Sequence, residues 1–105
     1  MTSEGNQTSK SENIDQIDRL IHEPARLMIL TSLYVLEGGD MVFLKNQTHL
    51  SWGNLSVQVR RLEEAGYVQV EKEFVDNKPH TVVSLTPLGK RAFDAYREHM
   101  QEILK

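Results

Sequence analysis

The 105-residue sequence contains no cysteine, which removes disulfide stapling, thiol chemistry and cysteine-ligated zinc or iron–sulfur sites from consideration. It has no apolar run near the ~20 residues that span a bilayer. The opening "MTSEGNQTSKSEN" lacks the apolar core of a signal peptide, so a cytoplasmic location is expected. The four histidines, His22, His49, His80 and His99, fall on separate elements without the i, i+4 pairing of a metal site. Neither a nucleophile elbow, a glycine-rich phosphate loop nor a paired-carboxylate motif surrounds the Ser, His and Asp residues present. No cofactor is called for, and nothing marks an enzyme.

Basic charge is also scarce. The net charge is −3 with a pI near 5.8, which alone argues against a nucleic-acid partner. Its distribution is uneven, however. Between Lys45 and Arg91 lie seven basic side chains (Lys45, Arg60, Arg61, Lys72, Lys78, Lys90, Arg91) against five acidic ones (Glu63, Glu64, Glu71, Glu73, Asp76). The balance there is +2, leaving −5 for the rest, which permits a basic face without proving one.

The remaining composition, 39% hydrophobic and 26% charged, suits one small globular domain. Residues 1–13 are polar and read as a disordered tail, with the folded domain over 14–105. Ile14, Ile17, Leu20 and Ile21 follow helical spacing. Pro24 then opens a second helix, "ARLMILTSLYVLE", apolar nearly all round and stopped by Gly38-Gly39. A short helix over residues 41–48 turns inward Met41 and Leu44. A tight turn at residues 49–51 leads to Ser51, a good N-cap for a helix over 52–65, with Leu50 and Leu55 as a hydrophobic staple. Leu55, Val59 and Leu62 form its buried stripe and Gly66 its left-handed stop. The period then changes to two: "YVQVEKEFV" and "HTVVSL" are strands joined by "DNKP". Thr86-Pro87 begins a last helix of about five turns, with Leu88, Ala92, Phe93, Tyr96, Met100, Ile103 and Leu104 on one face.

Within "LSWGNLSVQVRRLEEAGYV" the first two helical turns carry no acid, although the positive end of a helix favours Asp and Glu. Many helices lack such an acid by chance. Here Asn54 takes the place where a capping box would put Glu or Gln, and an Asn amide pairs with adenine edges. Gly53 in the first turn costs roughly 1 kcal/mol against Ala, a cost that suits close backbone approach to a phosphate. Arg60 lies two turns on, in reach of flanking phosphates. Trp52 suits either stacking on a sugar–phosphate edge or the rim of the core. An i, i+3 bond with Glu64 would occupy Arg61. Lys72 reads as part of a solvated strand face.

The order helix, helix, turn, helix, hairpin, helix is that of a winged helix-turn-helix. At "GNLSVQVRRLEEAGYVQVEK", "LTPLGKRAFDAYREHM" and "LIHEPARLMIL" the chain resembles the small single-domain winged-helix transcriptional regulators of the MarR-like group. The resemblance implies a mainly α fold with a small antiparallel hairpin (α+β), flanked by N- and C-terminal dimerisation helices. It also implies double-stranded DNA as partner, with the 52–65 helix in the major groove and the 67–85 wing on flanking DNA. The DNA-binding residues would be Ser51, Trp52, Gly53, Asn54, Ser56, Val57, Arg60, Arg61, Lys78 and His80. A homodimer seam would use Ile14, Ile17, Ile21, Leu88, Ala92, Tyr96, Met100 and Ile103, and a small-molecule effector would have to sit in that seam. Relatives carry arginines at the wing tip where this chain has Lys78 and His80 beside Asp76, and a glycine where it has His49. The acidic net charge and base-poor wing keep a second reading open, a winged-helix protein-interaction module without DNA binding.

Overall fold

The computed structural model describes residues 14–36 and 38–105; the tail expected over 1–13 lies outside them. The helical reading of residues 14–21 is corrected. Ile14 and Asp15 are helical, and the chain then turns. Asp18 is the reason, because its Oδ1 accepts from the N–H groups of Leu20 and Ile21 at 2.9 and 3.2 Å. A side chain that captures these donors competes with the helix ladder. The same carboxylate accepts from the Tyr67 hydroxyl through Oδ2 at 2.5 Å, tying this segment to the start of the wing. Burial, then the bond to Asp18 and its charge, push the Tyr67 phenol up to about 12.

Helix α1 is Pro24–Leu36. Pro24 fits where its missing N–H goes unneeded, and Glu23 Oε1 accepts from the Arg26 N–H at 2.9 Å. One face of α1 buries Ala25, Arg26, Ile29, Leu30 and Leu33. The other does not: Met28, Val35 and Leu36 are exposed, Val35 at 74%. The apolar circumference expected of a fully buried helix is therefore only half used within the protomer.

Gly38-Gly39 does more than stop α1. Strand β1, Gly38–Asp40, pairs antiparallel with a later strand to make a three-stranded sheet rather than a lone hairpin. A Cβ on Gly39 would come within 2.4 Å of the Phe43 ring. The glycine is needed for close approach, and its lack of a side chain hides the strand from any period-two pattern. Asp40 then caps helix α2, Met41–Thr48, accepting from the Phe43 N–H at 2.7 Å. The helix ends at His49 in the left-handed region, φ 58°.

Helix α3, Trp52–Glu64, is capped by Ser51, whose Oγ accepts from the Asn54 N–H at 3.1 Å. Its buried residues are Leu55, Val59 and Leu62, the expected stripe. It ends in a Schellman arrangement: Tyr67 N–H donates to Leu62 O, Gly66 N–H to Glu63 O, and Gly66 has φ 80°.

The wing is β2, Val68–Val75, against β3, Lys78–Leu85, in the order β1-β3-β2. Val75 pairs with Lys78 and Phe74 with Pro79, so Lys78 and Pro79 belong to the strand and not to the turn. The turn is only Asp76-Asn77, both left-handed at φ 53° and 63°, the backbone that matches strand twist in two-residue hairpins. Helix α4, Pro87–Ile103, starts at Thr86, whose Oγ1 accepts from Gly89 N–H and donates to Gly66 O. That hydroxyl joins the end of α3 to the start of α4.

The core joins Ile21, Ile29, Leu30 and Leu33 to Leu44, Leu55, Val59, Leu62, Val68, Val83, Phe93 and Tyr96. Within it α3 packs against α1, α2 and β2. Ile21 and Tyr96, expected at a dimer seam, lie inside this core, Tyr96 at 6% exposure. The Tyr96 hydroxyl meets His22 Nδ1 at 2.9 Å, and burial raises its pKa above that of a free phenol.

Candidate nucleic-acid interface

With Leu55, Val59 and Leu62 inward, α3 presents Trp52, Gly53, Asn54, Ser56, Val57, Arg60 and Arg61 to solvent, beside its cap Ser51. These eight candidates share one surface. A Cβ on Gly53 would meet nothing within 4 Å, so the protomer's own packing does not require glycine there. The first turn of α3 carries no acid, and the N–H groups of Trp52 and Gly53, ahead of the capped Asn54, carry the helix's partial positive charge.

Trp52 is not core rim: it is 51% exposed. The Lys45 ammonium lies over its ring, 5.7 Å from the centroid. This brings a cation from α2 to the start of α3, a contribution not apparent from Lys45 in the sequence, where six residues, a turn among them, separate it from Trp52. Arg61 does not pair with Glu64. Among the described residues the carboxylates paired with basic side chains are Glu23 with Arg26, Asp40 with His80 and Glu102 with Lys105, so both Arg60 and Arg61 keep their guanidinium groups free of carboxylate partners.

The wing candidates separate from one another. Lys78 is exposed at the tip. His80 is half-buried, with Nδ1 3.4 Å from Asp40 Oδ2, and links the wing to the cap of α2. The tip itself is apolar on one side, with Phe74 76% exposed and Val75 beside it.

Arg26 on α1 and Gln58 on α3 are also part of the arrangement. Arg26, 9% exposed, donates from Nε to Leu20 O at 2.5 Å and from Nη1 to Gln58 Oε1 at 2.7 Å. Gln58 Nε2 donates in turn to Asn54 Oδ1 at 3.0 Å. Only Gln58 and Asn54, at i and i+4 on one helix, had a signal in the sequence; Arg26 is 32 residues from Gln58.

On the far side of the domain an open groove of about 760 Å³ runs between α1 and α4, lined by Leu27, Thr31, Tyr34, Val35, Phe93, Tyr96, Arg97, Met100, Gln101 and Leu104. Of the expected seam residues, Met100 and Tyr96 line it. Ala92 and Ile103 are half-buried, while Ile14 and Leu88 are exposed. Among the described residues no helix is long and apolar enough to cross a membrane.

Comparison with known proteins agrees with this geometry. Residues 25–104 match the family model for a winged helix DNA-binding domain. A protein of Methanocaldococcus jannaschii, uncharacterized protein MJ0432, is 30% identical over 87 residues, covering 83% of this chain and 95% of that one. Among solved structures, a transcriptional regulator homologue from Pyrococcus horikoshii OT3 superimposes with a TM-score of 0.82 at 24% identity, over 91% of this chain and 94% of the other. A MarR family transcriptional regulator from Silicibacter pomeroyi gives 0.66 at 21% identity, over 98% and 69%.

Proposed function

Because the chain belongs to the winged helix DNA-binding domain family, we propose that it is a transcriptional regulator that binds duplex DNA as a homodimer, with α3 in the major groove. The observation that carries this reading is the start of α3. Gly53 has open space above it, the first turn has no acid, and Arg60 and Arg61 stand unpaired on the same surface. Backbone N–H groups and free guanidiniums match phosphate, and exposed Asn54, Ser56 and Val57 match base edges. Lys78 adds one flanking phosphate contact per wing. His80, engaged with Asp40, supports the wing rather than touching DNA.

The dimer reading draws on the groove between α1 and α4. Val35, Met100 and Leu104 form an apolar surface whose natural cover is the same surface of a second copy, since a two-fold interface is self-complementary. Ile21 and Tyr96 already serve the protomer's core, and Tyr96 also lines the wall of the groove. A small effector would find its volume in the same groove.

Binding to duplex DNA of random sequence, titrated at several salt concentrations, tests the proposal. Each neutralised phosphate releases counterions and steepens the log–log slope by about 0.9, so affinity should fall sharply as salt rises. An affinity unchanged by salt would exclude phosphate contacts and favour a protein-interaction module.

A further inference from the structure

Asn54, Gln58 and Arg26 form a chain with one direction. A guanidinium only donates hydrogen bonds. Arg26 is nearly buried and is held from three sides, by Leu20 O, by Gln58 and by Glu23 at 3.8 Å. Its Nη1 therefore demands an oxygen from Gln58, and Gln58 must turn Oε1 toward it. The Gln58 amide then has only Nε2 to offer Asn54, and Asn54 must answer with Oδ1. Two amides that would otherwise flip freely are each fixed by the fixed charge behind them. With Oδ1 held toward Gln58, the end that Asn54 turns outward is Nδ2, with its donors.

We infer that Gln58, anchored by Arg26, is a positioning residue that makes Asn54 a donor-only reader of base edges, and so sets the specificity of α3. This rests on α3 being the recognition helix. A free Asn pairs with adenine through both its donor and its acceptor. With Oδ1 engaged by Gln58, Asn54 selects edges that accept: N7 and O6 of guanine, N7 of adenine or O4 of thymine. It rejects the N4 amino group of cytosine, which faces it with another donor.

Gln58→Glu reverses the chain. One carboxylate oxygen keeps Arg26, the other demands a donor, and Asn54 turns Nδ2 inward and Oδ1 outward. Gln58→Leu leaves Asn54 free to present either end. Both substitutions fall on a half-buried side chain and are compatible with folding, which thermal melting verifies.

The test is selection of bound duplexes from a pool with a randomised core, by the wild type, Gln58→Glu and Gln58→Leu. In the wild type, cytosine should be depleted about tenfold or more at one position of each half-site. In Gln58→Glu cytosine should return at that position alone, and in Gln58→Leu the position should shift toward adenine, which a freed Asn54 pairs with through both ends, the rest of the motif staying as it was. Motifs identical in all three proteins overturn the inference. A wild type that enriches no motif overturns the DNA reading beneath it. Proton exchange of the side-chain amides, measured without DNA, separates these failures. Gln58 Nε2 protons should be protected and Asn54 Nδ2 protons open in the wild type, with Asn54 becoming protected in Gln58→Glu. Equal Asn54 exchange in the two proteins overturns the orientation whatever the selection shows.

Discussion

Along α3 the exposed side chains are mostly polar, and those nearest its N-terminus are held by hydrogen bonds to one another and to a buried arginine. Between α1 and α4 the surface is apolar, and Val35 and Leu104 project from it with nothing of their own protomer to cover them. Both surfaces rest on the same core, yet one is suited to a hydrated, charged partner and the other to a dry one. Desolvation explains the division. Polar groups proposed to meet phosphates and bases lose little by waiting in water, provided their geometry is already set. Apolar groups gain only when water is removed, so they suit the surface that the proposed function gives to a second copy.

The sharpest way to break this comparison is to put a charge on each side of the boundary between core and groove. Tyr96→Glu buries a carboxylate inside the protomer and should cost roughly 4 kcal/mol or more, read as loss of the cooperative thermal transition. Val35→Glu places the same charge on the open face. It should leave the fold intact and raise the dimer dissociation constant by about two decades, or about 2.7 kcal/mol. Sedimentation of Val35→Glu as a dimer would place the seam elsewhere.

On the polar surface the expected effects are smaller and differ in kind. Asn54→Ala should cost roughly 1–3 kcal/mol on a selected site and much less on scrambled DNA. Arg60→Ala should weaken both duplexes alike and lower the salt slope by about one unit. Titration of each variant against both duplexes distinguishes reading from positioning. Equal losses for Asn54→Ala would make it a positioning residue.

The smallest effect lies in the turn that aims α3. His49 holds a left-handed backbone, φ 58°, where a Cβ is crowded. His49→Gly should raise stability by about 0.5–1 kcal/mol in denaturant unfolding, with no change in DNA affinity. A fall in stability would mean that the imidazole contributes more than its backbone costs.

Much of the fold was legible because its signals are local. Ser51 and Thr86 bond N–H groups three residues on, Gly66 ends α3 within one turn, and Leu55, Val59 and Leu62 recur at the helical period. Local spacing also misled. The apolar residues over 14–21 kept a helical period, but Asp18 diverted the backbone and joined Tyr67, 49 positions away. The glycines before Asp40 looked like a stop alone, because a strand of Gly38–Asp40 has no side-chain alternation to show. Lys78 and Pro79 looked like turn because Pro is common there; two left-handed residues sufficed.

The sequence by itself determined where α1, α3 and α4 begin and which stripe of α3 turns inward, since caps and periodicity act over three or four residues. Tertiary structure alone decided that Gly38–Asp40 pairs with residues 82–84 and that Tyr96 belongs to the core rather than to an open face. It also brought Lys45 over Trp52 and Arg26 behind Gln58. Each of these depends on elements far apart in the chain meeting at a few ångströms, and spacing along a sequence carries no measure of that distance.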